Sequence, residues 1–163
     1  MSNTLERIDI KAGMVQWLGA LSHFFSKDVL ALPADKLAVS PGGVARAPRA
    51  IIGEVIGLLK YTTKTLRNEE PENYAEDHGE RFVAGLSTAE ELVGAFQAAS
   101  ADLSAAIMAA PDDIWMNEVM PPWQMKDTVF GITNVTINHI WYHDGQINTY
   151  QCLYGDDKVH WMD

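Results

Sequence analysis

Two histidines four residues apart, His139 and His143, have the spacing in this chain that most directly indicates chemistry. On an α-helix this spacing places both imidazoles one turn apart on the same face, where they can chelate one metal ion. At about 100° per residue, both fall within the stripe that holds Ile132, Ile140 and Ile147. Imidazoles in an apolar stripe need polar partners, because a buried polar group without one costs about 1–3 kcal/mol. A shared metal ion would satisfy both; hydrogen bonds across the protein are the alternative.

A third ligand is predicted at Glu54, in a segment that precedes the histidines by more than eighty residues. On a helix, Glu54 lies beside Leu58 and away from Lys60, so it borders the apolar face. An ordinary glutamate that reaches from the rim to water is the alternative for this position. Glu54 and the two histidines would form a site with two imidazoles and one carboxylate, which leaves coordination positions open for water or substrate.

The remaining residues with reactive side chains are weaker candidates. His23 lies opposite the apolar stripe of its helix and His78 lies in an acidic segment, so both are expected in solvent. His160 and Trp161 belong to a terminal segment that could fold back over the site, although simple packing is the expectation for Trp161. The single cysteine, Cys152, is expected to be a small buried hydrophobe, with a nucleophile as the alternative.

Four helices must position these residues. Apolar residues recur at spacings of three and four, and the predicted helices cover residues 12–32, 48–67, 89–110 and 127–153. The first helix is expected to bury a stripe that consists of Met14, Trp17, Leu18, Leu21, Phe25 and Leu32. Pro48 suits the first turn of the second helix, Ser87–Thr88 with Glu90 or Glu91 suits the cap of the third, and Asp127 is predicted to cap the fourth.

The connections between the helices suggest the topology. The acidic stretch 68–81 is predicted to be a long solvated crossover between the second and third helices. Before the last helix, residues 114–116 and 118–120 are predicted to form a short hairpin. The expected fold class is therefore all-α: one domain over residues 1–163, a four-helix bundle with a long crossover.

Composition narrows the classes of function. The chain has 163 residues, of which 47% are hydrophobic, and a formal net charge of −10. A globular domain is expected, with neither a nucleic acid nor a membrane as partner, because binding to phosphates requires a basic surface. The opening residues lack the pattern of a signal peptide and the chain has one cysteine, so a cytoplasmic location is expected.

A second apolar ridge lies on the fourth helix, roughly opposite the histidine stripe. It consists of Phe130, Ile137 and Trp141. A helix that is apolar on two sides is expected to be buried on two sides. A homodimer that covers this ridge is therefore predicted, with a packed tail or hairpin as the alternative cover.

The segment 138–148, which contains both histidines and Gly145-Gln146, followed by Tyr150, resembles the DinB/YfiT-like family. The resemblance extends to the helix order over nearly the whole chain. It implies a four-helix bundle, commonly dimeric, in which one histidine of the second helix and two of the fourth hold a divalent metal. This chain departs from that pattern, because its second helix contains no histidine and Glu54 takes the matching position.

The resemblance also implies a function. Members of the family look like thiol-dependent transferases and isomerases, so the expectation here is a zinc, nickel or iron site that activates a low-molecular-weight thiol or water against a small electrophile. No catalytic base is assigned; Tyr61 and Tyr142 are conceivable hydrogen-bond donors, although tyrosines on bundle helices usually serve packing. The alternative is a non-catalytic dimeric bundle, stress-associated or ligand-binding, whose site is empty or structural.

Overall fold

The computed structural model describes residues 9–71 and 77–162. In these ranges the chain forms four α-helices, α1 (Ile10–Leu30), α2 (Pro48–Leu66), α3 (Ala89–Ala109) and α4 (Val129–Leu153). A sheet of two short strands, β1 (Glu118–Val119) and β2 (Asp127–Thr128), precedes α4. Short 3₁₀ turns cover Ala34–Lys36, Glu80–Val83 and His160–Met162. The predicted all-α class with four helices is confirmed.

Helices α3 and α4 begin at polar caps, whereas α2 begins without a side-chain cap. Thr88 and Glu91 form a capping box at the start of α3, as predicted. At α4 the cap is Thr128, whose side chain accepts a hydrogen bond from the backbone N–H of Gly131 at 3.0 Å. The prediction of Asp127 as cap is therefore wrong by one position.

A short hairpin before the last helix is confirmed, but its two strands are not the predicted segments 114–116 and 118–120. Strand β1 pairs antiparallel with β2, which directly precedes α4. Residues 114–117 form a turn, in which the backbone N–H of Asn117 donates to the carbonyl of Ile114 at 2.9 Å. A single residue between the two predicted strands is also too short for a hairpin loop, which needs at least two.

The helices bury one main core. Helix α1 packs against α3 and α4, and α2 packs against the same two helices. The largest fully buried side chains include Leu18, Leu21, Phe25, Ile52, Leu59, Leu92, Phe96 and Leu103. Trp17, predicted to be buried, is 45% exposed, because it lies about 60° from Met14 at the edge of the α1 stripe.

The connection between α2 and α3 touches α2 next to Glu54. Of the predicted crossover 68–81, residues 72–76 lie outside the described ranges. Further along, Gly79 has a left-handed backbone with φ of 78°. A methyl group added to Gly53 would lie 2.8 Å from the carbonyl oxygen of Gly79. Val83 is fully buried. Backbone-to-backbone contact therefore supports the turn of α2 that carries Glu54.

Helix α3 is the one helix, within the part of the chain that the structure describes, that is long and apolar enough to cross a membrane. Its most apolar window has a mean hydropathy of 1.4. The face that contains Leu92, Phe96 and Leu103 lies in the core against α1 and α2. A central core helix meets the same test of length and composition.

Candidate metal centre

Glu54, His139 and His143 come together where α2 packs against α4. The two histidines lie one turn apart on α4, with their Nε2 atoms 3.0 Å from each other. Glu54 Oε1, on α2, lies 3.4 Å from His139 Nε2 and 3.8 Å from His143 Nε2. These three residues, the metal triad, were the predicted ligands, and they are close enough to hold one metal ion.

The separations between the ligand atoms fit a divalent ion. Two ligands at about 2.0–2.1 Å from a tetrahedral zinc ion are themselves about 3.3 Å apart. The three separations in the triad, 3.0, 3.4 and 3.8 Å, fall on both sides of that value. The triad can therefore supply one face of a coordination polyhedron, and such a three-ligand site leaves a further position for a small molecule.

The triad lies at the edge of the core. The side chain of His143 is 1% exposed, whereas those of His139 and Glu54 are each 19% exposed. The deepest ligand is therefore shielded from water, and the other two face a route to solvent. Glu54 is therefore partly buried. It is not the fully solvated rim glutamate of the alternative interpretation.

Gln146 fixes the orientation of His143. The Nδ1 atom of His143 lies 2.7 Å from Gln146 Oε1, and Gln146 Nε2 donates to the Tyr142 hydroxyl at 3.3 Å. An amide oxygen only accepts, so Nδ1 carries the proton and Nε2 of His143 presents a lone pair. Metal-ligating histidines typically have such a partner on their outer nitrogen. Sequence reasoning assigned Gln146 no role, although its position three residues after His143 is the signal that could have found it.

His139 is held differently. Because Nε2 of His143 is an acceptor, the short contact between the imidazoles requires His139 Nε2 to donate the proton. The Nδ1 atom of His139 is buried and has no hydrogen-bond partner among residues 9–71 and 77–162. Burial lowers the pKa of His139, against the opposing hydrogen bond of Glu54, so the ring is held neutral. His143 is thus the better oriented of the two ligands.

Glu54 is held as a carboxylate. Burial by itself would raise the pKa of Glu54, but the hydrogen bond from His139, the nearby imidazole of His143, and the hydrogen bond and charge of Arg46 outweigh burial and hold it well below its usual range. Nη1 of Arg46 donates to Oε2, which leaves Oε1 facing the imidazoles. Arg46 precedes α2 in a loop, where no periodic pattern could have indicated this contact.

The other reactive residues lie outside the triad. His160 pairs with Asp156 at 2.9 Å, and Trp161 packs on Phe24 with ring centroids 4.7 Å apart, so the packing role predicted for Trp161 is confirmed. Cys152 is exposed, which corrects the prediction of a buried residue; at nine residues from His143 it lies about 180° around α4. His23 and His78 are exposed, as predicted.

The two tyrosines considered as donors differ in position. The Tyr61 hydroxyl donates to the carbonyl of Met120 at 3.0 Å, which ties α2 to the segment after β1. Tyr142 is exposed beside the triad, with its ring 6.3 Å from that of His139 and nearly parallel to it. Tyr142 therefore belongs to the rim of the candidate site.

No protein-family model matches the chain, and no curated protein matches it either.

Proposed function

We propose that the protein is a metal-dependent enzyme in which Glu54, His139 and His143 hold a divalent ion. The observation that carries the proposal is the convergence of one carboxylate oxygen and two imidazole Nε2 atoms within 3.8 Å of one another at the edge of the core. Zinc, nickel and iron all accept this set of ligands. A carboxylate with two imidazoles is more typical of catalytic sites than of closed structural ones.

The proposed reaction is transfer of a low-molecular-weight thiol to a small electrophile, or an isomerisation that uses such a thiol. A divalent ion here would supply the Lewis acidity that favours loss of a proton from a thiol or water. The resemblance of segment 138–148 to the DinB/YfiT-like family supports a thiol over water, and hence a transferase over a hydrolase.

The chain's own residues have separate roles in this proposal. Gln146 keeps the proton of His143 on Nδ1, so that Nε2 stays available. Burial keeps His139 neutral. Tyr142 accepts a hydrogen bond from Gln146, and its own proton has no acceptor in the described part of the chain. The phenol can therefore donate to a substrate at the exposed side of the triad.

Metal content is the first test. Untagged protein purified without chelators is compared by elemental analysis with a His139→Ala/His143→Ala variant and with a His23→Ala/His78→Ala variant. The second variant removes two exposed histidines outside the triad. Near-stoichiometric zinc, nickel or iron in the wild type and in the control, and little in the triad variant, is expected. Absence of metal from the wild type, even after reconstitution, would overturn the proposal.

Activity is the second test. The metal-loaded protein is incubated with 1-chloro-2,4-dinitrobenzene and a panel of small thiols, and thioether formation is followed by absorbance. A rate above background that is lost in the His139→Ala/His143→Ala variant supports the transferase. Full metal loading without turnover of any thiol or water nucleophile would instead favour the non-catalytic ligand-binding bundle. The ion pair between Arg46 and Glu54 favours that alternative, because it stabilises the carboxylate without a metal.

We also propose that the protein forms a homodimer through the outer surface of α1 and α4. Of the predicted ridge, Ile137 is buried, but Phe130 and Trp141 are exposed large hydrophobics. Trp17 of α1 lies beside Trp141, with ring centroids 6.2 Å apart. Exposed aromatic residues grouped in this way typically mark contact surfaces. Sedimentation of the wild type as a dimer, and of a Trp17→Glu/Trp141→Glu variant as a folded monomer, would support this assembly.

A further inference from the structure

Arg46 lies beside the metal triad, and within the described residues only one of its N–H groups donates a hydrogen bond. Its Nη1 donates to Glu54 Oε2, the carboxylate oxygen that faces away from the two imidazoles. A guanidinium carries five N–H donors. Residues 9–71 and 77–162 offer no other hydrogen bond to Arg46, and its side chain is 38% exposed. The other N–H groups of this charged guanidinium are therefore accessible to a ligand at the edge of the triad.

The charges in this region favour an anion. With a divalent ion, one carboxylate and one guanidinium, the site carries two net positive charges inside a protein whose formal net charge is −10. A positive site in an acidic protein attracts anionic ligands over neutral ones of the same size. Among anions, a planar carboxylate matches the two parallel N–H groups of a guanidinium.

We propose that the free N–H groups of Arg46 bind a carboxylate of the small molecule whose donor atom reaches the metal triad. This rests on the proposed metal site and defines its substrate class: a small thiol that carries a carboxylate a few bonds from sulfur. Arg46 thereby has two roles, since one N–H holds Glu54 in place and the others select the ligand.

The experiment uses cobalt(II)-loaded protein and two thiols of equal length, 3-mercaptopropionate and 3-mercapto-1-propanol. Binding is followed by the thiolate-to-cobalt charge-transfer band, and no turnover is needed. The wild type is expected to bind the carboxylate thiol about tenfold more tightly, the size of one good charge-assisted pair. In Arg46→Gln the preference is expected to fall below about threefold, and Arg46→Lys is expected to retain part of it.

Because Arg46 also holds Glu54, the preference is measured on the cobalt-loaded fraction of each variant. Arg46→Lys keeps a positive charge beside Glu54, and its cobalt content is expected to stay near that of the wild type. Equal binding of the two thiols by the wild type would overturn the proposal, as would an unchanged preference in Arg46→Gln. Failure of the wild type to bind cobalt would instead overturn the proposed metal site.

Discussion

Helix α4 carries two buried polar clusters on neighbouring faces, and the two clusters satisfy their polar atoms in different ways. His143 faces α2 and belongs to the metal triad, whereas the next residue, Asp144, faces α1 and lies against Asp28. Both His143 and Asp144 are almost fully buried. The second group, here called the α1–α4 cluster, consists of Asp28, Asp144, Asn148 and Gln151.

The α1–α4 cluster contains its own donors. Asn148 Nδ2 donates to Asp28 Oδ2 at 2.8 Å and to the carbonyl of Asp144 at 2.9 Å. Gln151 Nε2 donates to the carbonyl of Asp28 at 2.7 Å. Burial, followed by the charge and the hydrogen bond of Asp28, raises the pKa of Asp144 to about 8. Asp144 therefore keeps a proton near neutral pH, and Asp28 Oδ1 and Asp144 Oδ1, which have no other partner in the described residues, are the buried oxygens that this proton can join.

The triad has fewer protons than acceptors on its inner side. The amide that contacts it, Gln146, is used on the outer nitrogen of His143, and Arg46 donates to the outer oxygen of Glu54. On the inner side, the proton on His139 Nε2 serves two acceptors, His143 Nε2 and Glu54 Oε1. Burial alone therefore does not mark a site. Converging lone pairs with few protons are suited to a cation, as in the proposed metal site, whereas carboxyls that share a proton and receive amide donors are not.

The largest expected effect separates the two clusters by metal-dependent stability. Zinc at a free concentration of 100 times its Kd should stabilise the wild type by about 2.7 kcal/mol, which raises Tm by about 5–10 °C. In His143→Ala this increase should disappear, whereas in Asp28→Asn it should remain. Differential scanning fluorimetry with and without zinc measures both. Equal increases in the wild type and His143→Ala would show that the ion binds elsewhere.

The next effect concerns folding without metal. Asp28→Leu removes the acceptor of Asn148 and of the Asp144 proton, so the free energy of unfolding should fall by about 2–3 kcal/mol. Urea denaturation of the chelator-treated protein measures this loss. Asp35→Leu, at an exposed position of a 3₁₀ turn, is the matched control and should change stability by less than about 0.5 kcal/mol. A loss no greater than that of the control would mean that the α1–α4 cluster contributes little to stability.

The sequence predicted the elements better than the contacts between them. Periodic apolar residues located all four helices because each stripe follows from residues three and four positions apart. The same argument placed Glu54 on the inner side of α2 and both histidines on one face of α4. These are local properties, which a helical wheel of each helix shows.

Contacts that depend on tertiary packing could not be read in this way. Asn148 and Asp28 are 120 positions apart, so only the packing of α1 on α4 shows that they pair. Arg46 reaches Glu54 from a loop, and loops have no period to reveal their direction. The strand partner of β1 was predicted wrongly because two neighbouring segments could pair with it. The choice between them depends on backbone geometry, which these short segments determine only weakly.

A smaller effect tests the support of the triad by Gln146. Gln146→Leu removes the acceptor of His143 Nδ1, so metal affinity should fall about 10–100-fold while the three ligands stay in place. Gln146→Glu keeps an acceptor and should retain affinity near that of the wild type. Competition with a chromophoric chelator measures both. Asn138→Leu, at an exposed α4 position beside His139, is the control; equal losses in it and Gln146→Leu would indicate a general effect on the helix.

The last effect is the pH dependence of the α1–α4 cluster. In the folded protein Asp144 has a pKa of about 8, raised from 3.8. Between these values the folded state holds a proton that the unfolded chain releases, so the stabilisation is complete at about pH 4 and is lost as the pH rises to about 8. In Asp144→Asn the amide donates to Asp28 at every pH, and this decline should be absent. Urea denaturation of metal-free protein from pH 5 to 8 gives the slope of the free energy of unfolding against pH for each variant. The slope of Asp35→Asn is expected to follow that of the wild type. Parallel slopes for the wild type and Asp144→Asn would show that Asp144 is ionised in the fold, which would contradict the shared proton in the α1–α4 cluster.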